Sequence, residues 1–121
     1  MTSNPDNLID YDTTDMLLET LEEDFFELVN EFIKSGDSLS SKLKQQVDHN
    51  INDIDTFIAL THTLKGASGN VGARLLSEFC EKLETVLLEK QLANIPGQVS
   101  QIEHIYSKTR EEYLRVFKKA S

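Results

Sequence analysis

One cysteine, Cys80, stands in the whole 121-residue chain, so no internal disulfide can form. No apolar run approaches the ~20 residues that span a bilayer. The start, "MTSNPDNLIDYDTTD", lacks both a basic opening and an apolar stretch, so it does not read as a signal peptide. Together these absences make the cytoplasm the default compartment. Basic charge is also scarce: 12 Lys and Arg stand against 21 Asp and Glu, a net charge of −9. Such a chain repels a phosphate backbone and an anionic membrane surface, so neither nucleic acid nor membrane is an expected partner. The plain function of the charge is solubility. Strand signals are nearly absent as well, because β-branched residues do not alternate with polar ones over any useful length. No internal repeat or low-complexity tract appears.

What is present is helical spacing, in a length that suits one domain. Residues 1–12 are polar, contain Pro5 and lack periodicity, so they read as a flexible tail before a domain at 13–121. A short helix is expected from Thr13 or Thr14, carrying Met16, Leu17, Leu18 and Leu21. A second, from about Asp24 to Gln46, has its stripe at Phe25, Leu28, Val29, Phe32, Gly36, Leu39 and Leu43. "VDHNIND" reads as a connector, with Asn52 or Asp53 capping the third helix. A fourth begins near Ala73 or Arg74, and Cys80 falls on its apolar stripe as core filler. Pro96 suits the first turn of a last helix whose stripe runs Val99, Ile102, Tyr106, Thr109, Tyr113 and Val116. The expected fold is all-α: an antiparallel up-down four-helix bundle with an additional short N-terminal helix.

The third helix holds the stretch "THTLKGASGNVGAR", residues 61–74. Three glycines there would each cost about 1 kcal/mol relative to alanine inside a helix. A wheel at 100° per residue, with Leu64 at zero, directs the core side to about 30° and His62 to about 160°. His62 is therefore expected to face out. Its neighbours one turn away, Ala59 and Gly66, are small, and Gly69 clears the next turn. Lys65 flanks the same face. An exposed imidazole, an ammonium and a cleared surface suit reversible phosphorylation of the ring: neutral imidazole is a nucleophile near pH 7, and the lysine would offset phosphoryl charge. The plain alternative is that the glycines serve helix packing and His62 is an ordinary surface histidine. Gly72, at the core edge near the helix end, is partly such a case.

Other chemistries find less support. "GASGNVG" lacks the Gly-Lys-Ser/Thr ending of a P-loop, and no strand precedes it. His49, His62 and His104 lie on different elements, so no metal-ligand spacing appears. No nucleophile-elbow pattern supports a Ser-His-Asp triad.

At these residues the sequence resembles the histidine-containing phosphotransfer (HPt) family. Its motif of His, any residue, Leu-Lys-Gly and a small pair stands here as His62-Thr63-Leu64-Lys65-Gly66-Ala67-Ser68, with Gly72-Ala73 following. "LLSEFCEKLE" resembles the usual continuation. The resemblance implies a four-helix bundle that carries a phosphoryl group on His62 between receiver-domain aspartates, or accepts it from a hybrid histidine kinase. It implies a stand-alone carrier without ATP-binding or autokinase function. No cofactor is expected here; the Mg²⁺ belongs to the partner receiver. By position, Lys65 stabilises the phosphoryl group and Gly66 admits the partner, with Gly69 and Ala59 keeping the approach clear. The polar residue that in some members touches the histidine from the next helix falls on Glu84, which could hold Nδ1–H and leave Nε2 free. The plain alternative is a solvated glutamate. A response-regulator receiver would dock on apolar side chains off the core stripes: Ile58 and Leu88, completed by Met16 or Leu17 if the short helix packs over that end. No further apolar face is evident, which points to a monomer. The rival readings are a phosphorylation-independent helical adaptor, which loss of His62 or Lys65 would have favoured, and an enzyme with a site inside the bundle, for which no inward carboxylate or histidine cluster at i, i+3 spacing is seen.

Overall fold

In the computed structural model, which describes residues 7–117, Asp10 starts the first helix. Its carboxylate accepts from the backbone N–H groups of Asp12 and Thr13, closing the exposed donors of the first turn. Helix α1 therefore runs Tyr11–Leu21, a little earlier than a cap at Thr13 or Thr14 would place it. The expected loose tail needs a larger correction. Leu8 and Ile9 are only 2% exposed and belong to the core, and the Asp10 N–H donates to the Gly72 carbonyl at 2.8 Å. Two consecutive apolar residues show no period, so only their partners reveal that they are buried. Residues 1–6 of the expected tail lie outside the described residues.

Helix α2, Asp24–His49, continues one turn past the expected end at Gln46. Val47, read as connector, packs partly buried against the core, and that contact extends the helix. Gly36 sits on the buried stripe because Tyr106 occupies the space: a Cβ there would clash with the Cε1 and Cζ edge of the tyrosine ring. The Tyr106 hydroxyl lies 2.8 Å from the Ile33 carbonyl and 2.6 Å from Asp37 Oδ1, so a buried polar tip is satisfied.

Helix α3, Ile54–Val71, is capped by Asp53, which accepts from the Thr56 N–H at 3.2 Å. It stops at Gly72, whose φ of +82° is the left-handed conformation that glycine adopts without strain. The Tyr113 hydroxyl donates to the Val71 carbonyl at 2.6 Å and satisfies one of the last acceptors of α3. Helix α4, Arg74–Leu88, returns alongside; a 3-10 turn at Leu92–Asn94 then leads into α5, Ile95–Val116, with Pro96 in its first turn. No strand occurs among the described residues.

The four long helices pack as neighbours in the order α2, α3, α4, α5, with α5 closing back on α2. Short connections make each neighbour antiparallel. Phe25, Phe57, Leu64, Leu76, Leu83, Ile102 and Tyr113 fill the centre. At the end of α5 the expected stripe departs from the structure. Val116 is 36% exposed, while Phe117, the residue just past the helix, is buried and lies against Phe25, ring centroids 5.0 Å apart. Helix α1 packs on α2 and α3 at the end where α3 finishes.

Candidate functional site

The spacing of α3 decides which way its side chains point. Phe57, Thr61, Leu64, Ser68 and Val71 are buried on one side. His62 falls on the other, and its side chain is 78% exposed. Gly66 and Gly69 border it without hindrance: a Cβ built at either meets no atom within 4 Å. Neither glycine is required by helix packing. That separates them from Gly36, which makes room for a ring, and from Gly72, where a Cβ would press on Thr13 and the Asp10 carbonyl of the α1 entry. Ala59, on the preceding turn, is exposed and small.

The antiparallel register of α3 and α4 brings Glu84 opposite the histidine. Its Oε2 lies 3.4 Å from His62 Nδ1, and its Oε1 accepts from Lys65 Nζ at 2.8 Å. One carboxylate thus touches both residues of the motif. The Lys65 ammonium lowers the Glu84 pKa, and the same hydrogen bond raises that of Lys65. Glu84 is therefore ionised near neutrality, and an ionised carboxylate only accepts hydrogen bonds. The proton in its contact with a neutral His62 then sits on Nδ1. Nε2 is left with its lone pair. Beneath this group Cys80 is fully buried, with its thiol pushed up to about 12, first by burial and then by the Glu84 charge. It is a core side chain with no thiolate character.

Sequence reasoning placed Lys65 and Glu84 each beside the histidine but did not pair them. The available signal was weak: opposite charges on the facing flanks of two neighbouring helices, whose register only the packed bundle sets.

The expected docking residues divide. Leu88 is 73% exposed and Met16 is 59% exposed. Leu17 is half-buried against the core. Ile58 corrects the wheel: it is half-buried and packs on the core, because the bundle covers more of α3 than a narrow stripe allows. Glu84 faces His62, so Leu88, one turn further along α4, lies level with the turn of α3 that precedes His62. Helix α1 is anchored at the opposite end of α3, at Gly72, ten residues beyond His62 or about 15 Å along the axis. Leu88 and α1 therefore lie to either side of the histidine. His49 and His104 are both exposed on other helices; His104 lines a shallow groove between α4 and α5 with Leu75, Phe79 and Ile105.

The model of the Hpt domain family matches residues 27–112, well over half of the chain. The chain belongs to the Hpt family. The Hpt fold is seen again in two solved structures. Histidine-containing phosphotransfer protein B of Pseudomonas aeruginosa PAO1 is similar at a TM-score of 0.84 and 24% identity, over 93% of this chain and 95% of that one. A histidine-containing phosphotransfer protein of maize is similar at a TM-score of 0.83 and 21% identity, over 95% of this chain and 93% of that one. No curated protein matches this chain significantly by sequence. As an Hpt protein it is a phosphotransfer component of a phosphorelay. Hpt proteins are phosphoryl carriers, and their partners are those of two-component systems, kinases and response regulators. No helix among the described residues is long and apolar enough to cross a membrane.

Proposed function

We propose that His62 is the residue that carries the phosphoryl group, on Nε2, between a receiver-domain aspartate of a hybrid histidine kinase and that of a response regulator. The observation that carries this reading is the setting of His62 itself. It is an imidazole 78% exposed on a helix face cleared by two glycines, with its Nδ1 side turned to an ionised carboxylate. That arrangement presents one ring nitrogen, with its lone pair, to a partner. Lys65 supplies positive charge within reach of a group on the ring. The chain acts as a carrier without autokinase activity; the Mg²⁺ and acidic pocket of the reaction belong to the receiver. It works as a cytoplasmic monomer, and the receiver docks across Leu88 and Ile58 on one side of His62 and α1, with Met16 and Leu17, on the other. Apolar residues around a small reactive centre suit a transient interface.

The test is incubation with a phosphorylated receiver domain, followed by assay for acid-labile, base-stable phosphate on this chain. The wild type is expected to take label, and His62→Gln to take none while keeping its helical content. Label on His49 or His104 in that variant would overturn the assignment. A chain that binds the receiver but takes no label would instead be the adaptor.

A further inference from the structure

Helix α1 is too short to hold itself. An isolated helix of 11 residues is marginal in water. Thr14 is its one fully buried residue; Leu17, Leu18 and Leu21 are half-buried, and Asp12, Asp15, Met16 and Glu19 are exposed. Leu8, Ile9 and the Asp10 N–H pin the chain that leads into α1, not the helix itself. Its two ends therefore decide whether it stays in place.

At the start, the Tyr11 hydroxyl donates to Glu112 Oε2 at 3.0 Å, across 101 residues of sequence. Glu112 lies near the end of α5 and is only 6% exposed, where a carboxylate is costly unless it is paired. Arg115, on the next turn of α5, supplies two donors: Nε lies 3.1 Å from Oε1 and Nη2 2.9 Å from Oε2. That pair is local to α5. The tyrosine contact is what reaches α1. Burial, and then the Glu112 carboxylate, push the Tyr11 hydroxyl up to about 12, so it remains a donor at neutral pH. At the other end, Glu22 joins α1 to α2 with φ +51° and ψ −123°. Side chains of L residues rarely adopt this conformation, which also lies outside the left-handed helical well. The Glu22 N–H donates to the Leu18 carbonyl at 2.9 Å, and its carbonyl accepts from the Phe25 N–H at 3.1 Å, so two helix ends hold it there. Release of α1 would relax it.

We propose that Tyr11 and Glu112 form a latch that holds α1 on the bundle against a strained joint at Glu22, and so sets the affinity for the receiver. The proposal rests on the reading that the receiver docks across α1. The latch does not touch His62. Breaking it lowers the fraction of molecules in which Met16 and Leu17 are in place, and the apparent affinity falls with that fraction. Tyr11 is thus a positioning residue for docking, not a catalytic one.

Two measurements on the full chain test this. Hydrogen exchange follows the α1 amides. Single-turnover transfer at varied concentrations of a phosphorylated receiver separates the half-saturating concentration from the limiting rate. Tyr11→Phe is expected to speed exchange in α1 about tenfold, the size of one hydrogen bond to a charged group, and to leave α2–α5 unchanged. Tyr11→Ala, which also loses the ring, is expected to raise the half-saturating concentration several-fold and to keep the limiting rate of wild type. Glu22→Gly removes the strained joint and is expected to restore part of the α1 protection lost in Tyr11→Phe. Unchanged α1 exchange in both tyrosine variants would overturn the latch. A loosened α1 with an unchanged half-saturating concentration would overturn the docking role of α1, and the proposal with it. No restoration by Glu22→Gly would overturn the strained joint. Absence of label on His62 in the wild type would instead strike the carrier reading itself.

Discussion

Replacing Gly66 should separate stability from activity in opposite directions. Gly66 lies within α3, and no atom approaches within 4 Å of a Cβ built on it. Alanine there restricts the unfolded chain and improves helix propensity without a clash, which is worth about 0.4–1 kcal/mol. For a domain of this length that raises Tm by a few degrees. Glutamine forms helix nearly as well as alanine, so Gly66→Gln should also fold at or above wild-type stability. Its effect on transfer is different. Positions 62 and 66 lie one turn apart, about 5–6 Å between Cβ atoms, so a flexible side chain at 66 sweeps the space beside the imidazole. A receiver's aspartyl phosphate must enter that space to bring phosphorus to about 3–3.5 Å from Nε2, and a misplacement of about 1 Å costs on the order of 10²-fold. The expected result is a Tm unchanged or raised for both variants, near-normal transfer for Gly66→Ala, and transfer slowed about 10–100-fold for Gly66→Gln. Thermal melts by circular dichroism and single-turnover transfer from a phosphorylated receiver measure the two quantities. Wild-type transfer by Gly66→Gln would refute the access argument, and a lowered Tm for Gly66→Ala would show that the glycine serves packing.

Three further outcomes follow from the same geometry. Gly36→Ala should destabilise the fold by roughly 1–3 kcal/mol, since the Cβ overlaps the Tyr106 ring; a melt matching wild type would contradict that packing. Lys65→Ala should slow transfer by up to about 10²-fold and return the Glu84 pKa upward toward the ordinary carboxylate range, followed by ¹³C NMR titration. In the wild type the depressed Glu84 pKa contributes stability above the ordinary glutamate pKa that fades as pH falls through the lowered value, so the variant should lose this acid-side dependence. Leu88→Asp should weaken receiver binding with little change in Tm, whereas Ile58→Asp should weaken binding and also lower Tm, because Ile58 packs on the core; normal binding by Leu88→Asp, measured by titration calorimetry, would move the docking surface elsewhere.

Much of this molecule is legible in its residues in order, because an amphipathic helix records its own buried side. The spacing of Phe57, Leu64 and Val71 directs His62 outward without reference to any other helix, and the motif from His62 to Ser68 points to its chemistry. Asp53 and Pro96 mark helix starts through local hydrogen bonding and a preset φ. What local spacing does not record is what each element meets. Leu8 and Ile9 look like tail residues until the Gly72 turn and the start of α4 meet them. Spacing alone put Gly36 on a buried stripe and Gly66 on an outward face, but only the packed bundle shows the Tyr106 ring over one and open space over the other. The joining of His62, Lys65 and Glu84 by one carboxylate depends on the register of α3 against α4. That register is set by core side chains on both helices together, so only the tertiary structure decided it.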